Sequence, residues 1–456
     1  MAAVGFDTPC TPCYNTPMPV LSYPDRQLLS CVDHPVDAVV AIPGSKSITN
    51  RALILAALAN GDTELINPLV SDDTKVMGEA LARFGVEITN TNGNSLLVCG
   101  RGGRFKAPGD EPIFIGNSGT SVRFLTAAAA LLPEGSKAVL DGVPRMRERP
   151  IRDLLFALTL LGVKAVDTNN TGCPPVEIHG GGLPGGACGL NGSVSSQYLT
   201  ALLQVAPLAK TDVHIHIVGT LISRPYIDLT QKVIRDFGAD FSHDNYETFH
   251  IPSSQQYTGR PYEIEADASS ATYFMAAAAV TGGTVRISNL YKTSAQGDVG
   301  FAAVLEKMGC IVKYNAGITV TGPKQLKAID VDLEAMPDTA MTLAAAAVFA
   351  DGPSHITGLS SLKVKETDRL TAIATELRKV GVSVEFDDAS WTITPPPPDR
   401  LKGALLETYD DHRMAMALAV LGLRIPNISI DNPSCVAKTF PDFWIRWNTA
   451  FRALAN

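Results

Sequence analysis

Runs of small apolar residues recur along the chain, and each run begins at a short polar cluster. The run from Ile48 to Ala59 follows Pro43-Gly44-Ser45-Lys46-Ser47, where a Pro-Gly turn leads into serines suited to the start of a helix. The pattern therefore predicts a helix with Ser45 and Ser47 at its N-terminus. Similar openings, 69 to 75 residues apart, fall near Ser121, Ser196, Ser270, Thr339 and His412.

A second landmark keeps the same period. In five units a further helix ends at an apolar residue, a glycine and a short strand, and these glycines are Gly85, Gly162, Gly238, Gly309 and Gly381. Glycine at such a position suits a left-handed helix C-cap. Because the helix openings and the glycines recur with the same period, they predict six repeated units of mixed helix and strand. The predicted class is therefore α/β (α+β). The linker-like stretch Ser253 to Pro261 divides the units three and three.

Composition narrows the class of protein. The chain has 456 residues, of which 45% are hydrophobic, with a formal charge of -8 and a pI near 5.5. This length favours two domains, and the acidic balance argues against nucleic-acid binding. The alanine-rich runs Leu125 to Leu132 and Met414 to Leu423 are too short to cross a membrane.

The cysteines and the N-terminal segment add little chemistry. The single Cys-x-x-Cys pair, Cys10 and Cys13, lacks further ligands at zinc-binding spacing, so we predict reduced thiols, no metal site and a cytoplasmic location. Residues 1–25 contain five prolines and no Lys or Arg. They match neither a secretory signal nor a transit peptide, and we predict an irregular tail.

Several of the polar openings carry cations where an anion would bind. Lys46 and Arg51 lie at the first predicted helix start, whose free N–H groups already favour negative charge. Gly119 and Thr120, followed by Arg123, open the second unit and suit an oxyanion. The alternative is that these residues only cap helices and carry solvated charges.

The segment Pro144 to Pro150 is flanked by prolines, which favours an extended backbone. In that conformation Arg145, Arg147 and Arg149 project to the same side, where a polyanion or acidic neighbours would offset their repulsion. A solvated basic face is the alternative.

The third unit offers neutral hydrogen-bonding groups. Ser195, Ser196 and Gln197 open its helix, and Ser223 and Tyr226 follow. Such a set suits a polyhydroxylated ring. Helix capping and core packing remain the alternative.

The last two units hold the titratable groups. Asp338 is predicted at a helix start, Lys365 and Arg369 on one helix face, and Glu366 within reach of Arg369. His412 opens the sixth helix, within Asp410-Asp411-His412-Arg413, and Lys438 follows. One carboxylate could act as a base while another group donates a proton; a structural ion-pair network is the alternative.

These motifs together resemble the 5-enolpyruvylshikimate-3-phosphate synthase family of enolpyruvyl transferases. The resemblance covers the chain from Pro43 to Phe443. Its motifs, in order, are Pro-Gly-Ser-Lys-Ser, Gly-Asn-Ser-Gly-Thr, Pro-Arg-Met-Arg-Glu-Arg-Pro-Ile, Ser-Ser-Gln, Asp267-Ala268-Ser269-Ser270, Gln296-Gly297-Asp298, Val364-Lys365-Glu366-Thr367-Asp368-Arg369, Asp411-His412-Arg413-Met414 and Ala437-Lys438-Thr439-Phe440-Pro441.

The resemblance implies a two-domain inside-out α/β barrel of six βαβαββ repeats, three per domain. Domain I would comprise residues 26–44 and 263–456, and domain II residues 45–262. The domains would close over the substrates, and helix N-termini would face the cleft between them. The expected protein is a monomer that binds neither nucleic acid nor membrane.

The implied reaction joins phosphoenolpyruvate to the 5-hydroxyl of shikimate 3-phosphate and releases phosphate, with neither metal nor organic cofactor. Asp338 would accept the hydroxyl proton and Glu366 would protonate the methylene carbon, with Lys46 and His412 as proton carriers. The residues implied for shikimate 3-phosphate are Lys46, Ser47, Arg51, Ser195, Ser196, Gln197, Ser223, Tyr226, Asp338, Ser361 and Lys365. Those implied for phosphoenolpyruvate are Lys46, Gly119, Thr120, Arg145, Gln197, Arg369, Arg413 and Lys438.

Two positions depart from the family pattern. Ser361 stands where better-known members have asparagine, and Phe124 stands where proline is usual. The second position shapes the helix that carries Gly119, and so bears on sensitivity to the herbicide glyphosate.

Other readings stay open at this point. A UDP-N-acetylglucosamine enolpyruvyl transferase has related chemistry but usually a loop cysteine, which the stretch Pro133 to Pro150 lacks. A silent homologue that only binds a phosphorylated ligand would need a missing essential group, and none is missing. A structural repeat protein is the remaining alternative.

Overall fold

A computed structural model describes residues 21–91 and 93–451. Cys10, Cys13 and most of the predicted tail lie outside this part of the chain. The helices of the described residues are α1 Lys46–Leu58, α2 Asp72–Arg83, α3 Gly119–Ala128, α4 Arg152–Leu160, α5 Ser196–Val205, α6 Pro225–Asp236, α7 Ala268–Thr281, α8 Phe301–Lys307, α9 Ala340–Ala347, α10 Arg369–Lys379, α11 His412–Gly422 and α12 Phe443–Phe451.

The strands are short and numerous, as small mixed sheets require. In the first half they are β1 Arg26–Leu28, β2 Asp37–Val40, β3 Asp62–Ile66, β4 Glu87–Thr91, β5 Ser95–Cys99, β6 Ile113–Phe114, β7 Lys137–Asp141, β8 Ala165–Asp167, β9 Val176–His179, β10 Gly186–Asn191, β11 Val213–Val218, β12 Ser242–Asp244 and β13 Thr248–Ile251. In the second half they are β14 Tyr262–Glu263, β15 Thr284–Ile287, β16 Ile311–Lys313, β17 Ile318–Thr321, β18 Asp330–Asp332, β19 Ser354–Thr357, β20 Ser383–Phe386, β21 Trp391–Thr394, β22 Leu405–Leu406 and β23 Ser429–Asp431.

The four-stranded sheets share one internal order, in which a parallel pair is followed by two antiparallel pairings. They are β6-β7-β9-β8, β10-β11-β13-β12, β14-β3-β5-β4, β2-β15-β17-β16 and β18-β19-β21-β20. The strands β22, β23 and β1 form a three-stranded sheet with one parallel and one antiparallel pairing. Parallel pairs need crossover connections, and helices supply them. The predicted mixed α/β class is confirmed, whereas the inside-out barrel of six repeats stays a prediction.

The predicted helix ends agree with the structure. The openings at Ser47, Ser121, Ser196, Ser270 and His412 fall in the first turns of α1, α3, α5, α7 and α11, and Thr339 ends a 3₁₀ turn that leads into α9. The five predicted glycines follow α2, α4, α6, α8 and α10 with φ between 82° and 98°, the left-handed region that glycine adopts without penalty.

The prediction of an extended segment from 144 to 150 is wrong. Pro144–Glu148 is a 3₁₀ helix, and a proline at its first position costs nothing because that N–H has no helical partner. With three residues per turn, alternate side chains no longer share a side. Arg147 therefore pairs with Asp141 at the surface (2.5 Å), while Arg145 and Arg149 turn toward the cleft described below.

The prediction that Lys365 and Arg369 share a helix face is also wrong. A 3₁₀ helix ends at Val364, Lys365 is extended, and α10 begins only at Arg369. The carboxylate of Asp368 accepts a hydrogen bond from the amide of Leu370 (3.2 Å), so it caps α10 and fixes this later start. The predicted contact between Glu366 and Arg369 is present.

Buried apolar side chains form two clusters. One draws on residues 29–42 and 266–451, and the other on residues 48–264. Helices α1, α3, α7, α9 and α11 lie almost wholly inside these clusters, as expected for helices that are apolar on every side. The chain passes between the clusters at 43–45 and again at 264–267.

The two passages pair with each other. The amide of Ser45 donates to the oxygen of Glu265 (2.8 Å), and the amide of Asp267 donates to the oxygen of Pro43 (2.9 Å). Between them Gly44 packs so tightly that a Cβ would collide with the carbonyl oxygen of Asn67. Glycine is required here for close approach of two backbones.

We expect Gly44→Ala to lower the free energy of unfolding by about 1–3 kcal/mol, the usual cost of overpacking, because the clash is with backbone rather than with a movable side chain. Gly189→Ala is the matched control, since its Cβ would meet only Val218 at 3.7 Å. Chemical denaturation of both variants measures the difference. Equal stability of the two would contradict the tight passage.

None of the helices in the described part of the chain has the length and apolar character that a bilayer crossing requires. The described cysteines are free thiols. No cluster of His, Cys, Asp or Glu within residues 21–91 and 93–451 is arranged to hold a metal ion.

Candidate active site

Asp338 lies at the centre of a cluster of charged side chains between the two apolar clusters. Its carboxylate meets Arg413 at 3.0 Å, Arg369 at 3.1 Å and Lys365 at 3.4 Å. Burial alone would raise the pKa of Asp338, but these cations and Lys46 hold it well below its usual range. Asp338 is therefore an anion under ordinary conditions.

Glu366 forms a second centre beside it. Its carboxylate meets Arg369 at 2.8 Å, Lys438 at 3.1 Å and Arg149 at 3.9 Å. Burial again opposes ionisation, and the surrounding cations, led by Lys438, keep the pKa of Glu366 well below its usual range. Because Arg149 belongs to the 48–264 half of the chain, Glu366 also links the two halves.

Arg369 connects these carboxylates and is 1% exposed. Besides Asp338 and Glu366 it binds Asp411, whose oxygens lie 2.7 Å and 3.1 Å from its nitrogens. The same Asp411 caps α11 by accepting from the amide of Arg413 (2.9 Å). Burial would lower the pKa of Arg369, but the three carboxylates raise it, so its charge is permanent.

Lys46, the first residue of α1, is held from two sides. Its backbone amide donates to Asp267 (3.1 Å), the N-cap residue of α7, and its ammonium lies 3.5 Å from Asp73. Asp73 also lies 3.9 Å from Lys438, so one carboxylate serves lysines from both halves. This role of Asp73 could not be predicted from the sequence, because Ser71-Asp72-Asp73 has the pattern of an ordinary helix start.

A cavity of about 40 Å³ opens beside these groups. All the residues predicted to bind shikimate 3-phosphate line it, together with Thr120 of the other predicted set: Lys46, Ser47, Arg51, Ser195, Ser196, Gln197, Ser223, Tyr226, Asp338, Ser361 and Lys365. They come from both halves of the chain. The residues predicted for shikimate 3-phosphate are thus brought to one place, whereas the cavity lining does not include Gly119, Arg145, Arg369, Arg413 and Lys438 of the other predicted set.

Arg51 lines this cavity but is tied to the protein. Its nitrogens donate to the hydroxyl of Thr230 (2.9 Å) and the backbone oxygens of Ser47 (2.9 Å) and Tyr226 (3.2 Å). Burial lowers its pKa to about 10, so it remains charged at neutral pH. Its ring partner is Phe124, 5.6 Å away, and the unusual phenylalanine therefore packs under a cavity residue within an unbroken α3.

The start of α5 supplies neutral groups. The hydroxyl of Ser195 caps the helix by accepting from the amide of Gln197 (3.3 Å). The side chain of Gln197 accepts from Arg123 (2.6 Å) and donates weakly to Thr120 (3.4 Å). Ser195 both caps α5 and lines the cavity, so the capping role and the ligand-binding role predicted for this segment are compatible.

Gly119 opens α3 directly against Arg149. A Cβ at this position would collide with the guanidinium group of Arg149, which donates to the backbone oxygen of Asn117 (3.0 Å). Burial lowers the pKa of Arg149 to about 10. Lys438 donates to the same Asn117 oxygen (2.8 Å), so this carbonyl gathers one cation from each half.

Arg145 spans the two halves without entering the cavity. Its guanidinium group pairs with Glu148 (2.9 Å) and donates to the backbone oxygens of Lys365 (3.1 Å) and Lys363 (3.3 Å). It therefore lies next to Lys365, at the edge of the charged cluster.

His412 lies inside the cluster and is fully buried. Neither ring nitrogen has a hydrogen-bond partner among the described residues, and Asp411 lies 3.6 Å from Nδ1. Burial and the neighbouring Arg413 hold the pKa of His412 well below its usual range. The ring is thus neutral, and its lowered pKa makes it a weak base.

Comparison with known proteins identifies relatives for this arrangement. The sequence model of the family described as EPSP synthase (3-phosphoshikimate 1-carboxyvinyltransferase) matches residues 32–447. The chain is 48% identical over 426 residues to the chloroplastic 3-phosphoshikimate 1-carboxyvinyltransferase of Arabidopsis thaliana, covering 90% of this chain and 81% of that one. It is 48% identical over 411 residues to the enzyme of the same name from Serratia proteamaculans, covering 90% and 95%.

Solved structures give the same answer for the fold. The EPSP synthase of Acinetobacter baumannii superposes with a TM-score of 0.76 at 26% identity, covering 93% of this chain and 98% of that one. The enolpyruvyl transferase NikO of Streptomyces tendae superposes with a TM-score of 0.73 over 93% and 97% of the two chains. Because the identity is only 18%, this second similarity shows the fold alone.

Proposed function

Since the chain belongs to the EPSP synthase family, we propose that it transfers the enolpyruvyl group of phosphoenolpyruvate to the 5-hydroxyl of shikimate 3-phosphate and releases phosphate. This makes it a transferase of aromatic amino acid biosynthesis. The observation that carries the proposal beyond family membership is the single network of cations and carboxylates around Asp338 and Glu366.

The charges of the network suit the two substrates. Together the substrates carry two phosphate and two carboxylate groups, and arginine is the side chain best shaped to bind such groups in a bidentate manner. The cations offered at the cleft are Lys46, Arg123, Arg145, Arg149, Lys365, Arg369, Arg413 and Lys438. Several are paired with protein carboxylates, so the network is assembled before a ligand binds and loses little entropy on binding.

The first step forms a bond between the substrate 5-hydroxyl oxygen and C2 of phosphoenolpyruvate. We assign Asp338 to accept the hydroxyl proton, while C3 takes up a proton and becomes a methyl group. A carboxylate with a lowered pKa is a weak base. Bound phosphate and carboxylate groups would offset the field of Arg413, Lys365 and Arg369, and so raise the pKa of Asp338 toward a useful value.

Glu366 is assigned to protonate C3, and the same reasoning applies to it. It is an anion in the structure and must gain a proton before it can donate one. Phosphoenolpyruvate bound against Lys438 and Arg369 would oppose the cations that keep Glu366 ionised. Lys46 and the neutral His412 are the proposed proton carriers.

In the second step a C3 proton leaves, the C2–C3 double bond reforms and the C2–O bond to phosphate breaks. The tetrahedral adduct thus returns an enol ether and free phosphate. No atom changes its oxidation state overall, so the chemistry calls for no redox cofactor.

Binding is proposed to require movement of two domains. The cavity of about 40 Å³ holds about one water molecule, far less than the roughly 300 Å³ or more of a small-ligand site. We propose that domain I, residues 26–44 and 263–456, and domain II, residues 45–262, separate to admit the substrates and close again. Their paired passages near Gly44 are the natural hinge.

Other parts of the proposal rest on the sequence. We propose a monomer in the cytoplasm that is a target of glyphosate. The free thiols of the described residues are consistent with a reducing compartment. The relative from Arabidopsis thaliana is named as chloroplastic.

A phosphate-release assay tests the function. We expect release only when shikimate 3-phosphate and phosphoenolpyruvate are both present, with each substrate alone as the control. Release with UDP-N-acetylglucosamine in place of shikimate 3-phosphate would instead support the alternative transferase. The names of the relatives favour the first outcome.

A further inference from the structure

The turn formed by Gln296, Gly297 and Asp298 brings a buried carboxylate to the cleft that none of the proposed steps uses. The side chain of Gln296 fixes the turn, because it donates to the backbone oxygen of Ala266 (2.7 Å) and accepts from the amide of Ala268 (3.1 Å). The turn is therefore tied to the passage between the two halves and to the start of α7.

Gly297 lets this turn approach the opposite half closely. A Cβ on Gly297 would lie 2.7 Å from the Cβ of Pro225, the first residue of α6, and 3.2 Å from the backbone oxygen of Ala335. Such separations leave no room for a side chain. The next residue, Asp298, is thereby placed against the first turn of α6, where Tyr226 lies.

Asp298 and Asp338 face the same phenol group. Asp298 is 3% exposed, and its carboxylate accepts from the hydroxyl of Ser269. The hydroxyl of Tyr226 lies 3.5 Å from Asp298 Oδ1 and 3.5 Å from Asp338 Oδ2. A phenol carries one proton, so it can donate well to only one of the two carboxylates at a time.

The two carboxylates differ in what already surrounds them. Asp338 has three cations within 3.4 Å, whereas no Lys or Arg nitrogen in the described part of the chain lies within ion-pair distance of Asp298. Burial, together with Asp338 nearby, raises the pKa of Asp298 to about 6. Asp298 is therefore ionised at neutral pH and is the more basic acceptor of the two, which favours donation from Tyr226 to Asp298.

We propose that Asp298 is a positioning residue, which holds the Tyr226 proton so that Asp338 Oδ2 stays free for the substrate hydroxyl. With its proton directed to Asp298, the phenol oxygen presents its lone pairs to the cavity and can accept from a ring hydroxyl. The contact crosses from one half of the chain to the other, so it forms fully only when the cleft is closed. This inference rests on the proposed function.

A double-mutant cycle tests the coupling between Asp298 and Tyr226. We expect Asp298→Ala and Tyr226→Phe each to lower kcat/KM for shikimate 3-phosphate by ~10- to 100-fold, the range of one hydrogen bond to a charged group. The double variant should lose no more than the worse single variant. Asp298→Asn, whose neutral amide oxygen is a weaker acceptor than the Asp338 carboxylate at the same distance from the phenol, should lose nearly as much as Asp298→Ala. KM for phosphoenolpyruvate should change little in every variant.

The outcomes separate this inference from the proposed function. Asp330→Asn, an exposed aspartate in the same half, is the control and should match the wild type. If the wild type releases phosphate but the two losses multiply, or the asparagine variant keeps the activity of the wild type, the role of Asp298 is overturned alone. If the wild type releases no phosphate, both proposals fail. Should Asp298→Ala not fold, Asp298→Ser, too short to reach the phenol, replaces it in the cycle.

Discussion

Lys46→Met is expected to lower kcat/KM by about a thousandfold or more while leaving the fold intact. Removing a single preorganised group that stabilises developing negative charge costs roughly 10²- to 10³-fold, and Lys46 is also a proposed proton carrier. Methionine keeps most of the length of the side chain, and the Lys46 amide that bonds Asp267 is unaffected. Steady-state phosphate release and thermal melting measure the two effects.

Lys75→Met is the matched control for this change. Lys75 lies on α2 of the same half with a side chain that is 57% exposed, and its partner Glu79 is 3.8 Å away. Such surface pairs contribute little, so activity should stay within about twofold of the wild type. Full activity of Lys46→Met would contradict the assignment of Lys46 to the site.

Features set within one helical turn could be predicted from the sequence. An N-cap depends on a residue and the amides just after it, as Ser195 and Asp411 show, and a C-cap glycine depends on one backbone angle. Those signals repeat along the chain, so the helix starts and ends were predictable. The family resemblance then predicted that the polar clusters at these helix starts lie close together.

Features that depend on packing could not be predicted in the same way. Prolines on both sides of 144–150 suggested an extended strand, yet Pro144 serves as the first residue of a 3₁₀ helix. Spacing placed Lys365 and Arg369 on one helix face, yet Asp368 begins the helix later. Pro144 could favour an extended backbone or begin a helix, and only the first was predicted. Asp368 could continue a helix or cap one, and again only the first was predicted.

Asp73 makes contacts with residues far away in the sequence, which local patterns do not predict. Its two lysine partners come from α1 and from a 3₁₀ helix, Pro433–Lys438, near the other end of the chain. Nothing within a few residues of Asp73 signals such contacts. The same holds for the pKa shifts, because the cations around Asp338 and Glu366 come from separate segments.

Glu376→Gln is the matched control for the same substitution at Glu366. Both glutamates are buried in the same half, but Glu376 binds Lys379 (2.9 Å), the amide of Glu407 (2.9 Å) and the hydroxyl of Tyr409 (2.7 Å), away from the cleft. We therefore use it to measure what the loss of a buried carboxylate does to folding. Its kcat should stay near that of the wild type.

Glu366→Gln is expected to lower kcat by about 10²- to 10⁴-fold, the usual contribution of a positioned acid or base, and to change KM for either substrate by only a few-fold. Glutamine can still accept from Arg369 and Lys438 but cannot deliver a proton to C3, so the loss belongs to the transition state. Steady-state kinetics with each substrate varied in turn measures the split. Equal losses in kcat and in affinity would assign Glu366 to binding, and the proton at C3 would then have to come from Lys46.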